Sequence, residues 1–301
     1  MKKPIIKNLS FHLMIMPAFV LVFIYSYIPM IGSLMAFQNY RPSNGFLGFF
    51  TSPWVGLENF RHFFSLDATK QVLYNTVYIS FMKMVLTILV PVTISILLNE
   101  LRHVAFKRVV QTFVYLPNFM SWVILTGIMV DILSPSDGIV NRAIFFLTGN
   151  TVPFLTSSRV FPYTLVVSDV WQRFGFQTIV YIAAITGIDP ALYEAARMDG
   201  AGYFKQAWHI TLPGMTPIII LMSLLQLGNL LNAGFDQVFN LINPAVQSTG
   251  EILDTYVYRL GIVDARYSFA TAVGLFKSMV SITLVSLSYW LAYKIANYRI
   301  F

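Results

Sequence analysis

Residues 189–213 read DPALYEAARMDGAGYFKQAWHITLP, and this polar stretch lies between two long apolar segments. Asp189 followed by Pro190 is a favourable helix start, because a carboxylate caps the first turn and proline lacks the N–H that would stay unpaired there. Residues 191–199 favour a helix, and Gly200 suits a helix end. The stretch therefore predicts a short helix held outside the membrane, between two membrane-spanning helices.

The same stretch has features of a contact surface for another protein. A second helix is expected over residues 203–211, ending at Pro213. Ala195 and Ala196 are small, so the backbone of a partner can approach the first helix closely, and Glu194 offers a charge that a basic partner can bind. The alternative interpretation is an ordinary helical loop whose alanines only favour the helix.

The composition of the whole chain is that of a membrane protein. Its 301 residues are 56% hydrophobic and 11% charged, with a net charge of +7, whereas soluble domains carry about 25% charged residues. We predict an all-α, polytopic protein in contact with membrane lipid, whose basic surplus sets orientation and does not bind nucleic acid. The chain has no cysteine and its four histidines lack ligand spacing, so no metal site is expected.

Six segments have the roughly 20 mainly apolar residues that a membrane-crossing helix needs. The candidate spans are residues 11–37, 72–98, 109–133, 161–186, 214–241 and 269–295. The first follows a basic tail, as in a signal peptide, but its apolar stretch is too long and lacks a small-residue cleavage site, so we interpret it as a retained anchor. We expect residues 1–301 to form one integral membrane domain with a loop at 187–213.

Six spans place both termini on the same side of the membrane. The basic residues on that side are Lys2, Lys3, Lys7, Arg102, Lys107, Arg108, Arg197, Lys205, Lys294 and Arg299. Basic residues on the other side are spread over longer segments, and an excess of Lys and Arg in short loops is typical of the cytoplasmic side. We therefore expect both termini and the loop at 187–213 to be cytoplasmic.

The loop also carries a sequence signature: Glu-Ala-Ala, three residues, Gly, nine residues, Ile, one residue, Leu-Pro. The positions that fill it are Glu194, Ala195, Ala196, Gly200, Ile210, Leu212 and Pro213. This order resembles the signature loop of binding-protein-dependent ABC importer permeases, and Asp189, Tyr193 and Asp199 resemble the carbohydrate, or maltose-type, branch. Segments similar to the oligosaccharide and polysaccharide permeases of Firmicutes are residues 235–241 and 254–259.

The resemblance implies a type I ABC importer permease fold and a division of labour among subunits. The loop would be a coupling helix seated on a cytoplasmic ABC ATPase dimer, with Glu194 facing a basic residue, Gly200 permitting the turn and Asp199 on the same surface. Other implied partners are a second homologous permease and an extracellular solute-binding lipoprotein. The implied cargo is an oligosaccharide or polysaccharide fragment, taken up across the cell membrane of a Gram-positive bacterium.

The chain lacks a phosphate-binding loop of the form GxxxxGK[ST], in which backbone amides and a lysine hold the phosphates. Residues 200–206 come nearest, but they lack the second glycine at the right offset and the Ser or Thr. We therefore expect a transport subunit and not an enzyme. ATP and Mg²⁺ belong on the partner ATPase, and no cofactor is expected on this chain.

Polar side chains within the apolar segments indicate a substrate path. The fifth span contains Gln226, Asn229, Asn232, Asp236, Gln237 and Asn240. On one continuous helix they fall within roughly 140° of one face, and amides and carboxylates in a span are costly unless they face protein or water. Trp171 and Arg173 of the fourth span can add an aromatic face and a charge. The alternative is hydrogen bonding between helices that holds the bundle together.

Two hypotheses of function follow. The first is a permease subunit of an ATP-driven importer for oligosaccharides. The second is a self-sufficient secondary transporter or channel for a polar solute, which would use the intramembrane charges Asp169, Asp236, Lys83 and Lys277. Uptake without ATP or partner subunits would favour the second, which leaves the polar loop unexplained.

Overall fold

The computed structural model describes residues 9–101 and 103–296. The longer helices are α1 (Leu9–Val22), α2 (Glu58–Ser65), α3 (Asp67–Asn99), α4 (Val104–Tyr115), α5 (Trp122–Ile132), α6 (Ile139–Thr148), α7 (Phe161–Thr186), α8 (Pro190–Met198), α9 (Leu212–Gly228), α10 (Phe235–Leu241), α11 (Leu253–Tyr258) and α12 (Tyr267–Ala296). Across the described residues, extended pairing is limited to an isolated bridge between Gln38 and Trp54. The predicted all-α fold is confirmed. Five of the basic residues used to predict orientation lie outside the described residues, namely Lys2, Lys3, Lys7, Arg102 and Arg299.

The predicted number of membrane spans agrees with the helices observed. In the described ranges, helices long and apolar enough to cross a membrane are Phe11–Phe37, Asp67–Asn99, Tyr203–Gly228 and Tyr267–Leu291. The number of candidates rises to 6 when each of two strongly bent helix pairs is taken as one span. These pairs are Val104–Phe119 with Trp122–Ile132 and Phe161–Thr186 with Pro190–Met198. The bend of 71° in the second pair separates the fourth span, α7, from the short helix α8.

The prediction of a single helix over residues 109–133 is wrong. A 3-10 turn at Leu116–Phe119 follows α4, and the chain then turns by 109° into α5. Pro117 within this turn cannot continue the hydrogen-bond ladder of α4. Ser121 then caps α5, because its hydroxyl oxygen accepts a hydrogen bond from the Ile124 N–H at 3.4 Å.

The fifth span also departs from the predicted single helix over residues 214–241. α9 ends at Gly228, residues 229–234 are not helical, and α10 begins only at Phe235. Gly234 has a φ of 91°, in the left-handed region where glycine avoids the steric cost of a side chain. We call residues 229–234 the break segment.

Pro213 does not end the preceding helix, contrary to the prediction. A continuous helical stretch runs over Tyr203–Gly228. It contains a wider π turn at Ala207–Thr211, directly before Pro213. Proline lacks the N–H that would bond back into this turn, so the local change of pitch lets the helix pass through it.

The chain divides into two compact units. The first comprises the described residues up to Asp67 together with Val257–Phe276. In its core the buried Phe63 ring lies 5.2 Å from the Phe276 ring, and Asn59 donates hydrogen bonds to the carbonyl oxygens of Ala36 at 2.9 Å and Gln38 at 3.2 Å. The span Phe11–Phe37 belongs to this unit, and none of its most apolar window is buried by the chain itself.

The second unit comprises Ala68–Tyr256 and the described residues from Lys277 onward. Its core lies among α3, α5, α7 and α10. The fully buried side chains there are Ile79, Leu125, Phe161, Leu165 and Val238. α4 and α7 come so close that a Cβ on Gly175 would collide with the Val114 carbonyl oxygen. This unit holds every residue of the two candidate sites described next.

Candidate functional site

The break segment is fixed by a lysine from α3. The Lys83 Nζ donates a hydrogen bond to the Ala233 carbonyl oxygen at 2.6 Å and another to the Gln237 Oε1. A Cβ added to Gly234 would lie 3.3 Å from the same Nζ. Glycine at this position therefore permits both the turn of the backbone and the approach of the lysine.

Three charged side chains from α3 and α7 form a cluster beside the break segment. Asp169 Oδ1 lies 3.5 Å from Lys83 Nζ and 3.3 Å from Arg173 Nε. The side chains of Lys83 and Asp169 are 7% and 4% exposed, whereas that of Arg173 is 46% exposed. Buried charges require such pairing, because their desolvation is otherwise too costly.

Gln237 belongs to the packed interior and not to an open surface. Its side chain is fully buried, and its amide Nε2 donates to the Leu165 carbonyl oxygen at 2.7 Å and to the Ser168 Oγ at 2.8 Å. With Lys83 as donor to its Oε1, both ends of the amide are satisfied. For this residue the geometry matches the alternative interpretation, in which polar groups hold helices together.

A second lysine contacts the neighbouring residue of the break segment. The Lys277 Nζ of α12 donates to the Asn232 Oδ1 at 2.8 Å and to the Asp254 Oδ1 at 2.5 Å. Lys277 and Asp254 form an ion pair whose side chains are 17% and 24% exposed. Helices α3 and α12, which are distant in sequence, thus contact neighbouring residues of the break segment.

These groups surround a cavity of about 390 Å³. Its lining residues are Ser80, Lys83, Met84, Thr87, Asp169, Arg173, Gln226, Asn229, Leu230, Asn232, Ala233, Gly234, Phe235 and Asp254. A volume of this order is typical of small-molecule sites. Hydroxyls, amides and charged groups all face it, so it offers both donors and acceptors.

The cavity brings together half of the predicted path residues. Those that line it are Arg173, Gln226, Asn229 and Asn232. Asp236 is exposed and Asn240 borders a different cavity, lined in part by Asn243. Trp171 lies in an apolar groove with Tyr163. The one-face argument assumed a continuous helix, and the break at 229–234 places residues beyond it in a new orientation.

The predicted substrate path left out several residues that line the cavity or contact its lining. Lys83, Lys277 and Asp254 were visible as charges in or beside apolar segments, which is itself a signal of function. Their partners were not visible, because Lys83 is 150 residues from Ala233 and Lys277 is 45 residues from Asn232. Ser80 and Thr87 of α3 gave no signal at all.

The second candidate site is α8, and its predicted start is confirmed. Pro190 is the first residue of the helix, and the Asp189 Oδ1 accepts a hydrogen bond from the Ala191 N–H at 2.9 Å. Such a cap satisfies one of the unpaired donors of the first turn. The start of this helix therefore depends only on residues within the loop.

The end of α8 is a Schellman motif. The Ala201 N–H donates to the Ala196 carbonyl oxygen at 2.8 Å, and the Gly200 N–H donates to the Arg197 carbonyl oxygen at 3.0 Å. Gly200 has a φ of 73°, and nothing lies within 4 Å of where its Cβ would be. The glycine is required by backbone conformation and not by lack of space.

The turn after α8 is pinned to the next helix. The Tyr193 hydroxyl and the Thr211 hydroxyl lie 3.0 Å apart, and the Gln206 amide donates to the Ala201 carbonyl oxygen at 2.6 Å. Gln206 and Thr211 are buried. α8 is therefore connected by side chains to the helix that leads into α9.

The residues of the signature occupy different environments. Glu194, Ala195, Gly200 and Pro213 are exposed, as is the adjacent Asp199, whereas Ala196, Ile210 and Leu212 are partly buried. Leu212 packs against a buried cluster that contains Tyr181 and Met215. Part of the signature thus forms an open surface, and part of it fixes the helix that carries the surface.

Sequence reasoning missed two large apolar side chains beside Gly200. Met198 is 88% exposed and Phe204 is 82% exposed. Both lie within the polar loop, on either side of Gly200. A groove of about 580 Å³ next to them is lined by residues that include Glu100, Glu194, Arg197 and Tyr203.

The two sites together describe a helical membrane protein with a polar cavity and an exposed helix outside its spans. Residues 88–297 match the family of the binding-protein-dependent transport system inner membrane component. This match covers more than half of the chain, and the chain belongs to that family. Membership confirms that the chain is a transport component and not an enzyme, and it favours the permease hypothesis over a self-sufficient transporter.

Curated relatives align with nearly the full chain. It is 39% identical over 297 residues to the polygalacturonan/rhamnogalacturonan transport system permease protein YteP of Bacillus subtilis (strain 168), covering 99% of this chain and 92% of the relative. It is 40% identical over 274 residues to protein LplB of the same organism, covering 91% of this chain and 85% of the relative.

Solved structures show the same fold. A chain of a bacterial ABC transporter involved in the import of the acidic polysaccharide alginate aligns with a TM-score of 0.87 and 34% identity, over 97% of both chains. A chain of that type of transporter in complex with an alginate pentasaccharide-bound periplasmic protein aligns with a TM-score of 0.87 and 33% identity, over 98% of both chains. The type I ABC importer permease fold is confirmed.

Proposed function

We propose that this chain is one permease subunit of an ATP-driven importer for oligosaccharides or polysaccharide fragments. The observation that carries the proposal is its 39% identity over 297 residues to a permease named for polygalacturonan and rhamnogalacturonan transport. The 0.87 TM-score to a chain of an alginate importer supports the same class of cargo. The organism of the first relatives supports a Gram-positive cell membrane as its location.

The cavity beside the break segment is the proposed substrate path. Sugar hydroxyls both donate and accept hydrogen bonds, and the amides of Gln226, Asn229 and Asn232 do the same. Phe235 supplies an aromatic face at the same cavity. The proposal leaves Asp236, Asn240 and Trp171 outside the path, since they do not line this cavity, and it assigns Gln237 to packing.

α8 is the proposed coupling helix, docked on a cytoplasmic ABC ATPase dimer. Its exposed Glu194 and small Ala195 suit a charged, close contact, and Met198 and Phe204 supply apolar area. Aromatic and methionine side chains are enriched at such interfaces. ATP and Mg²⁺ are held by the ATPase subunits, and closure of the dimer moves the spans through α8 and its contacts to α9.

The remaining proposed partners are a second homologous permease and an extracellular solute-binding lipoprotein. The family is defined by dependence on a binding protein. A solved complex with a substrate-bound periplasmic protein supports delivery of the sugar from outside the cell. In this proposal both termini and α8 lie in the cytoplasm.

Reconstitution in proteoliposomes tests the transport function. The complex of this chain, the second permease and the ATPase, supplied with its binding protein, is expected to accumulate labelled trigalacturonate only when ATP is present. An ionophore that dissipates ion gradients should leave the rate unchanged. Uptake by this chain alone, driven by a proton or sodium gradient, would replace the proposal with the secondary-transporter hypothesis.

Docking is tested by Phe204→Asp, with Phe146→Asp as the matched control. Both phenylalanines are highly exposed, but Phe146 lies on α6 and Phe204 follows α8. A charge at a buried interface should lower ATPase co-purification at least tenfold for Phe204→Asp. Phe146→Asp should retain it. Equal retention in both variants would remove Phe204 from the interface.

A further inference from the structure

The charges around the cavity do not cancel. The cationic side chains that line it or contact its lining are those of Lys83, Arg173 and Lys277, and the carboxylates are those of Asp169 and Asp254. Lys277 is paired with Asp254. Asp169 is shared between Lys83 and Arg173, so basic side chains outnumber carboxylates by one among the described residues around the cavity.

Arg173 is the cation that remains available. Its Nε lies 3.3 Å from the Asp169 Oδ1, while the buried Lys83 already neutralises the same carboxylate from the other side. In the described ranges the two terminal nitrogens of Arg173 make no hydrogen bond to protein, and the side chain is 46% exposed at the cavity wall. Asp169 therefore fixes one edge of the guanidinium and leaves its other edge open.

An open guanidinium edge is suited to a carboxylate. Its two parallel N–H groups match the two oxygens of a carboxylate, and this bidentate pair is stronger than hydrogen bonds between neutral groups. An uncompensated charge in a membrane-embedded cavity is costly, and an anionic ligand would compensate it. Neutral sugars would leave the excess charge unpaired.

We infer that Arg173 binds a carboxylate of the transported sugar, and that this cavity selects oligosaccharides built from uronic acids over their neutral counterparts. The inference rests on the proposed transport function and adds a specificity-determining residue to it. The amides at Asn229 and Asn232 bind hydroxyl groups of the same sugar, which both acidic and neutral oligosaccharides carry. Arg173 thus supplies the discrimination and the amides supply binding common to both.

The test compares two probes that differ at their carboxyl groups. Trigalacturonate and its fully methyl-esterified form share every hydroxyl, but the ester has no carboxylate. Affinities are measured by calorimetry on the detergent-purified complex of both permeases and the ATPase, without the binding protein, so that only the transmembrane cavity is sampled. The wild-type complex should bind trigalacturonate at least tenfold more tightly than the ester, the value of a charge-assisted contact.

Variants locate the discrimination at Arg173. Arg173→Gln should bring the two affinities to within about twofold of each other, by weakening trigalacturonate alone. Arg173→Lys should retain an intermediate preference, since lysine keeps the charge but not the planar fork. Arg142→Gln is the matched control, because Arg142 is an exposed arginine that pairs with Asp137 on the α6 side and does not line the cavity. It should leave both affinities unchanged.

Two outcomes would overturn the inference. One is a wild-type complex that binds both probes equally, and the other is an Arg173→Gln variant that weakens both probes to the same extent. The uptake assay separates these results from failure of the proposed function. If either outcome is found and the ester is taken up in the presence of ATP, the chain is part of an importer that does not select by charge. If neither probe is taken up in the presence of ATP, the importer itself is rejected.

Discussion

The break segment and α8 are both short elements beside a membrane span, yet they are held in opposite ways. The break segment is fixed by Lys83, whose partner Ala233 is 150 residues away, and by Lys277, which is 45 residues from Asn232. The ends of α8 are fixed by bonds between residues two to five positions apart, from Asp189 to Ala191 and from Ala201 to Ala196, and its Tyr193 contacts Thr211 of the same loop. The first element therefore depends on assembly of the bundle, and the second depends on its own sequence.

The largest expected effect comes from Lys83→Met. This change leaves the Ala233 carbonyl oxygen and the Gln237 Oε1 without their donor and leaves the buried Asp169 with only the half-exposed Arg173. Removal of one partner of a buried pair costs roughly 3–5 kcal/mol. We expect a lower midpoint of thermal unfolding in detergent and loss of ATP-driven uptake.

Lys277→Met is the comparison for that variant. Lys277 also contacts the break segment, but its ion pair with Asp254 is partly open to solvent. Exposed pairs contribute at most about 1 kcal/mol, so Lys277→Met should shift the unfolding midpoint less than Lys83→Met. Equal shifts would show that burial does not distinguish the two lysine contacts of the break segment.

An intermediate effect is expected at Gly200. Gly200→Val forces a β-branched residue into the left-handed region at a cost of roughly 1–2 kcal/mol, and this cost is pure backbone strain because the space around the Cβ is open. The strain should loosen α8 alone, which is measured by faster hydrogen exchange of its amides. ATPase co-purification should fall, while the unfolding midpoint of the spans stays unchanged.

Gly200→Asn distinguishes the effect of backbone strain at position 200 from the effect of replacing glycine with a larger side chain. Asparagine adopts the left-handed conformation more readily than other side chains, so exchange in α8 and ATPase co-purification should stay close to wild type. If Gly200→Asn lowered ATPase co-purification as much as Gly200→Val, the small size of Gly200 would be required for contact with the partner. Its backbone conformation would then not explain the loss.

The smallest effect is expected for Asp236→Leu. Asp236 is exposed in the first turn of α10 and does not line the cavity. A carboxylate in a first turn stabilises a helix by about 0.3–1 kcal/mol, so uptake kinetics should be nearly unchanged. Asn229→Leu, at the cavity wall, should lower uptake of sugar with the ATPase still bound; a stronger effect of Asp236→Leu would move the path away from this cavity.

The sequence predicted those parts of the molecule whose cause is local. The start of α8 at Asp189 and its end at Gly200 followed from capping chemistry, and the span at 161–186 coincides with α7. The bend after Pro117 and the break at 229–234 were not predicted. An apolar composition is compatible with a straight helix and with a broken one. Hydropathy alone therefore reveals neither the bend nor the break.

The same limit applies to the candidate sites. Four of the eight path residues line the cavity because they precede or belong to the break segment, or lie on α7. Of the other four, Asp236, Gln237 and Asn240 were grouped with them by assuming one helix from 214 to 241, and Trp171 of α7 lies in a separate apolar groove. Lys83 and Asp254 complete the cavity through contacts that no spacing rule connects, since their partners lie on other helices.

The two lysine contacts also set an order of events during biogenesis. Lipid offers no partner to an exposed carbonyl, so irregular backbone at membrane depth is stable where protein buries it or where it lines a water-filled cavity. The Ala233 carbonyl oxygen obtains its donor from Lys83 of α3. The polypeptide between α9 and α10 therefore acquires this donor only where it packs against α3, so formation of the cavity is coupled to helix association.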